Sequence, residues 1–284
     1  MQPILLEFGD FKLHWYGFFV ALGFMFCFAN WVWMGRKRGW DLQLCSDILF
    51  WVMVGGIIGA RINYVISDFD NYRQDPMSMF RMWEGGLIFY GGFVGASVAV
   101  FTLARMRKIP LLAMTDFVIT PIPLGHALGR VGCFMNGCCF GRPHEGALSC
   151  QFPRLSPPWY QQFYDGLITN HHTLSLPVYP VQLFETAANI GIYGLLLVLF
   201  FRTRHIGIVS GVYLLAYPSS RLLLENFRGT ERIMIGPLST AQTLSIALMS
   251  VGAIILAYSF HAKRTFDGPL KSLKDKAACE TAQP

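Results

Sequence analysis

Apolar residues in this chain come in long blocks divided by short charged or polar stretches. Taken in order, the blocks run about 13–34, 47–66, 86–104, 112–129, 181–201, 207–225 and 240–260. Each is near the roughly 20 residues that an α-helix needs to cross the hydrocarbon core of a bilayer. The pattern predicts an all-α polytopic membrane protein with about seven transmembrane helices. Two long connections, 67–85 and 130–180, and a short loop at 226–239 alternate with the blocks on one side. Within the second connection, 142–180 carries Pro157-Pro158-Trp159-Tyr160 and His171-His172 without a sustained period, and reads as an irregular arm on the membrane surface. Beyond residue 260 a Lys-rich tail has no apolar period and is expected to be disordered. The expected organisation is a single transmembrane domain over 1–260, arm included, and a tail over 261–284.

Composition agrees: 53% of the 284 residues are apolar and 14% charged, against about 25% charged in ordinary soluble domains. The first block carries Trp15, Tyr16 and Phe18 and lacks a small-residue cleavage site, so it is read as a span and not as a removable signal peptide. A net charge of +6 in a soluble chain would suggest nucleic acid; here its distribution is read as topology, and no nucleic-acid partner is expected. Arg36-Lys37-Arg38, Arg105, Arg107, Lys108, Arg202, Arg204 and the tail residues Lys263, Arg264, Lys271, Lys274 and Lys276 fall on one side. The positive-inside rule makes that side cytoplasmic, with the N-terminus outside and the C-terminus inside.

The basic residues of the outer half, Lys12 apart, are all arginines: 61, 73, 81, 130, 142, 154, 221, 228 and 232. Topology alone does not ask for arginine over lysine. A guanidinium grips phosphate through a rigid, permanently charged fork, whereas lysine offers a mobile point charge. An arginine at membrane depth costs at least ~2.5–3.5 kcal/mol to insert, so such residues face a polar cavity.

The richest stretch is Gly125 to Gly141, with glycines at 125, 129, 132, 137 and 141 around Arg130. Glycines let the backbone turn sharply and present N–H groups to an anion, and the arginine adds a phosphate grip. A Gly-rich loop with one snorkelling arginine is the plainer alternative. In the second span Gly55, Gly56, Gly59 and Ala60 lead into Arg61, and in the third Gly91 and Gly95 form a GxxxG beside Tyr90, whose phenol is expected to point inward. Gln182 and Glu185 lie at i, i+3 at the outer end of the fifth span. A glutamate there calls for an arginine partner or a proton to move. Pro218 interrupts the sixth span, after which Arg221, Glu225 and Arg228 recur at i, i+4, i+7 on one helix face. Of the 7 cysteines, Cys133, Cys138, Cys139 and Cys150 share one region. Their C-x4-C-C-x10-C spacing matches no common zinc pattern, and no metal or cofactor is expected. They read as small apolar fillers, or as a bridge from Cys150 to Cys138 or Cys139.

With these residues assembled, the chain resembles the bacterial prolipoprotein diacylglyceryl transferase family from about residue 4 to 260. The family signature, approximately G-R-x-G-N-F-x-N-x-E-x-x-G, stands here as Gly129-Arg130-Val131-Gly132-Cys133-Phe134-Met135-Asn136-Gly137-Cys138-Cys139-Phe140-Gly141. His14-Trp15-Tyr16-Gly17, Gly59-Ala60-Arg61, Trp83-Glu84-Gly85-Gly86, Tyr179-Pro180-Val181-Gln182-Leu183-Phe184-Glu185 and the Arg221, Glu225, Arg228 set complete the likeness. Two kinds of departure stand out. Cys133 and Cys138 replace the usual Asn and Glu of the signature, and Tyr90 stands where some members have histidine.

The resemblance implies transfer of the diacylglyceryl group of phosphatidylglycerol to the lipobox cysteine thiol of a prolipoprotein, with release of glycerol phosphate. The site would face the periplasmic side of the bacterial inner membrane, and its partners would be the lipid, the lipobox peptide and the bilayer. The nucleophile belongs to the substrate, so no cysteine of this chain need react. Arg130 and Arg221 are the expected phosphate clamp, with Arg61 and Arg228 in support. Tyr90 is the expected proton acceptor or positioning group, with His126 and Glu185 as alternatives. Tyr16, Asn136, Gly141, Gln182, Glu185 and Glu225 are expected to contribute to substrate binding. Two other readings stay open: a transporter of an anionic lipid using the same arginines, and a family member that binds without transferring. Against the transporter, no paired internal repeats are visible.

Overall fold

A computed structural model describes residues 4–8, 11–81, 85–169, 173–229, 234–235 and 238–269. Trp83 and Glu84, His171 and His172, Arg232, Cys279 and most of the Lys-rich tail lie outside these described residues. Among them the chain is helical, with two short antiparallel hairpins, β1 (Ile4–Phe8) with β2 (Phe11–His14), and β3 (Met234–Ile235) with β4 (Leu238–Ser239).

The helices are α1 (Trp15–Arg38), α2 (Leu42–Ser67), α3 (Phe69–Gln74), α4 (Phe89–Met106), α5 (Leu111–Ile119), α6 (Ile122–Asn136), α7 (Pro157–Tyr164), α8 (Val181–Arg202), α9 (Ile208–Glu225) and α10 (Thr240–Ala262). Six segments are long and apolar enough to cross a membrane: α1, α2, α4, the pair α5–α6 read as Leu111–Asn136, α8 and α10. The protein is therefore an all-α polytopic membrane protein. The remaining predicted span, the sixth in order, is present as α9, but Pro218-Ser219-Ser220-Arg221 and Glu225 dilute its apolar run below that of the other six. The fourth block is longer than its apolar core suggested and is broken at Thr120–Pro121. Pro121 and Pro123 supply no N–H, so the ladder of α5 stops and α6 starts afresh. The arm is less irregular than expected, since Pro157 at the first helical position opens the short α7.

The chain divides into two compact units, one of 1–27 and 119–265, the other of 28–118 and 266–284, with α1 running through both. In the second unit α2 and α4 meet glycine to glycine. A Cβ added to Gly95 would sit 2.1 Å from the carbonyl oxygen of Gly55, and one on Gly59 2.3 Å from that of Gly91. The GxxxG is thus a packing device, as small residues at a lipid-embedded helix crossing allow. Gly95→Ala must force two backbones apart, and a loss of at least ~1–3 kcal/mol is expected from overpacking. Thermal melting of the purified variant in detergent checks this; an unchanged midpoint would contradict the crossing. Trp40 stacks on Phe117 with ring centroids 4.0 Å apart, tying the start of α2 to α5.

In the first unit Ile192 and Leu196 of α8 pack on Val209 and Tyr213 of α9. Gly211 and Gly252 let α9 and α10 approach closely. Against α6, α1 comes near at two glycine positions: a Cβ on Gly23 would lie 3.2 Å from the Gly125 oxygen, and one on Gly132 3.1 Å from Cβ of Phe19. The thiol of Cys27 donates to the Pro121 oxygen at 3.3 Å. On another side of α6, Thr186 of α8 donates to the Ala127 oxygen at 3.4 Å. These contacts, from Pro121 to Gly132, hold α6 against both neighbours.

Candidate functional site

The end of α6 is shaped by Gly137. It adopts a left-handed conformation (φ 74) that glycine takes without steric cost. Its N–H bonds to the Phe134 oxygen at 3.1 Å, and that of Cys138 to the Cys133 oxygen at 3.1 Å. The chain then passes through Phe140-Gly141-Arg142, threaded between the approach to α8 and the exit of α9. Gly141 N–H donates to the Tyr179 oxygen (3.0 Å), Arg142 N–H to Phe227 (2.9 Å) and Gly229 N–H to Phe140 (3.2 Å). A Cβ at Gly141 would lie 2.6 Å from Cβ of Tyr179 and 2.8 Å from the Phe227 oxygen. The structure therefore gives Gly141 a packing role: it staples three segments whose helices carry the charged residues.

The charged residues meet around Glu185, in the first turn of α8 and buried. Its Oε2 forms an ion pair with Arg130 Nε at 2.5 Å and its Oε1 accepts from Arg221 Nη1 at 3.1 Å; Arg221 Nη2 lies 3.0 Å from Glu225 Oε2. One carboxylate thus bridges guanidiniums from α6 and α9. Two arginines and two glutamates balance in formal charge, where Arg221, Glu225 and Arg228 were expected to share one helix face. Arg228 explains the difference. Helix α9 ends at Glu225, so Arg228 leaves the shared face and its backbone instead pairs with Gly141. Arg130 meets Glu185 through Nε, so the two Nη groups at the end of its guanidinium are not the atoms that make this ion pair.

Other expected residues cluster here as well. Gln182 is fully buried, and its Nε2 donates to the Cys138 oxygen at 2.8 Å while its Oε1 has no donor among the described residues. Asn189 Nδ2 donates to the Glu185 oxygen at 2.7 Å. Tyr16, half exposed, rides over Gly132 of α6, whose added Cβ would lie 3.3 Å from Tyr16 Cα. Asn136 is the last residue of α6. His126, one turn before Arg130, lies 5.4 Å from the ring of Tyr217, and its buried Nδ1 has no hydrogen-bond partner among the described residues. The sequence offered no means of foreseeing that orphan nitrogen.

Arg61 and Tyr90 belong to the second unit. Arg61 is 7% exposed, and each of the five N–H groups of its guanidinium faces a backbone carbonyl: Nε on Met79 (2.9 Å), Nη1 on Gly85 and Gly86 (2.7 and 3.2 Å), Nη2 on Ser78 and Arg81 (2.7 and 3.3 Å). With every donor engaged, Arg61 pins the loop before α4 and has nothing left for a phosphate, which corrects its expected supporting place in the clamp. Tyr90 opens the second residue of α4 and is 50% exposed, not turned inward. The buried neighbour is Gly91, which faces α2, and the next position on a helix is rotated about 100° away. All described cysteines are free thiols, so the suggested bridge from Cys150 is not made. Cys150 instead pairs through its backbone with Val178.

Comparison with known proteins supplies the rest. The family profile of prolipoprotein diacylglyceryl transferase matches residues 3–258. A phosphatidylglycerol–prolipoprotein diacylglyceryl transferase of a Nostoc species is 30% identical over 280 residues, covering 96% of this chain and 94% of its own. Proteins of the same description from Cupriavidus metallidurans (32% over 273 residues; 91% and 93%) and Vibrio cholerae (31% over 271 residues; 92% and 92%) are similar along their whole lengths.

Proposed function

The chain belongs to the prolipoprotein diacylglyceryl transferase family, and on that premise we propose that it moves the diacylglyceryl group of phosphatidylglycerol to the cysteine thiol of a prolipoprotein lipobox. The observation that carries the assignment of residues is the pair of guanidiniums from α6 and α9 oriented by one buried carboxylate. In the proposed reaction the substrate thiolate attacks the glycerol carbon, a carbon–sulfur bond forms, and the carbon–oxygen bond to phosphate breaks. Glycerol phosphate leaves with the electron pair. Negative charge grows on the departing phosphate, and preorganised donors aimed there lower the barrier without reorganising at the moment of reaction. Arg130 offers its Nη fork and Arg221 lies across Glu185 from it. Glu185 aligns both and Glu225 aligns Arg221, while Gln182 Oε1 and Tyr16 border the same region. The Arg36-Lys37-Arg38, Arg105–Lys108 and Arg202–Arg204 clusters support a cytoplasmic face by the positive-inside rule, and with it a proposed site on the periplasmic side of the inner membrane.

A thiol of pKa ~8.5 must also lose its proton. Tyr90 holds the position that matches the family and is the first acceptor to test; the orphan Nδ1 of His126 favours that imidazole as a second. The test is turnover of purified protein with labelled phosphatidylglycerol and a lipobox peptide. Lipidated peptide with released glycerol phosphate supports the proposal; binding or lipid movement without either product refutes it. In the same assay Tyr90→Phe is expected to slow transfer by about 10²-fold, the lower end of general acid–base contributions. Full activity in that variant, with a loss in His126→Gln, would move the role to His126.

A further inference from the structure

The loop that closes α6 holds a feature the transfer reaction does not use. The Sγ atoms of Cys133, Cys138 and Cys139 all lie within 4.8 Å of one another. The fold, not the spacing, gathers them: left-handed Gly137 turns the chain back, and Cys139 is itself left-handed (φ 61). For a residue with a Cβ that conformation is sterically unfavourable, so the surrounding loop is holding this side chain in place.

We propose that these three cysteines form a binding site for one thiophilic d10 metal ion, of the class of Cu(I) or Cd(II), held by three thiolates. Metal–sulfur bonds of ~2.3 Å put the sulfurs of a trigonal site about 4 Å apart, so 4.8 Å closes by small side-chain movements. A disulfide needs about 2.05 Å between two sulfurs and would leave the third unused. Thiolates are the ligands that soft ions select. Three of them around a monovalent or divalent ion leave a net negative charge, and cations stand ready to offset it. Arg130 precedes Cys133 by one helical turn. Arg228 is placed beside the same loop by the pairing of its backbone with Gly141. Binding releases the thiol protons to solvent. Cys133 is buried and the other two are part-exposed, which leaves the ion a way in from the loop side.

An occupied site would draw Arg130 toward the thiolates and away from the phosphate, a consequence that rests on the proposed transfer reaction. The site itself does not depend on that reaction. The experiment is a titration of the full-length, reduced protein in detergent with Cd(II) under anaerobic conditions, followed by thiolate-to-cadmium charge-transfer absorption. A saturable band at one ion per chain is expected, lost in Cys138→Ser and Cys139→Ser and kept in Cys150→Ser. No saturable band, or one unchanged in the Cys138 and Cys139 variants, overturns the proposal. Should those variants fail to fold, alkylation of the wild-type protein read by peptide mass decides instead. Cd(II) is expected to slow labelling of Cys138 and Cys139 together and to spare Cys150; equal labelling with and without the ion overturns the site. Cd(II) should also suppress transfer, with recovery on adding a chelator. A protein that never transferred lipid would still show the band, so the two readings fail separately.

Discussion

Arg130→Lys is expected to lower the rate of transfer by about 10²–10³-fold in a protein that remains folded, the cost of removing one preorganised donor from a developing oxyanion. The substitution keeps the charge and removes the fork. In the structure Arg130 meets Glu185 through Nε, and in the proposed reaction its two Nη groups serve the phosphate. An ammonium has a single nitrogen on a flexible stem and can satisfy the carboxylate or the phosphate, but it cannot hold both in fixed geometry. Most of the loss should therefore appear in kcat, with a smaller change in the concentration of phosphatidylglycerol giving half-maximal rate. Turnover near that of the parent protein would remove Arg130 from the clamp.

Glu185→Ala is expected to destabilise the first unit by ~3–5 kcal/mol, as breaking a buried ion pair by deleting one partner does. The carboxylate is 5% exposed and serves two guanidiniums at once. Its removal leaves two like charges facing each other at the junction of α6, α8 and α9. Thermal melting in detergent measures the stability, and the transfer assay measures function. Glu185→Gln separates the two effects. The amide keeps the volume and one acceptor, so much of the stability should return, while activity stays low because a neutral group aligns only one arginine. An alanine variant that melts with the parent would mean that the bridge is not buried in the working protein.

Much of the fold could be read from the chain. Block length and charge asymmetry identify the spans because a bilayer imposes a length that the sequence must meet, whatever the helices do to one another. The exception is α9, helical as expected but too polar to stand with the other six, because it carries the charged residues of the site in its own last turns. Arg130, Arg221, Glu185 and Gln182 were also identifiable, since buried charge in an apolar setting is costly enough to mark itself. Arg61 was identifiable for the same reason, and yet its work was not. Its partners are backbone carbonyls of a distant loop, and a carbonyl is present at every residue, so no residue type announces it.

From the sequence alone came the class of protein, the order of its helices and the short roster of charged residues that a membrane does not tolerate without purpose. Those follow from the transfer of single residues and single segments into an apolar solvent, which each stretch decides for itself. Which charges pair, which glycines allow two backbones to touch, and which cysteines converge were decided only by the tertiary structure. Each of these depends on the distance between residues far apart in the chain, and those distances exist only once the helices have packed.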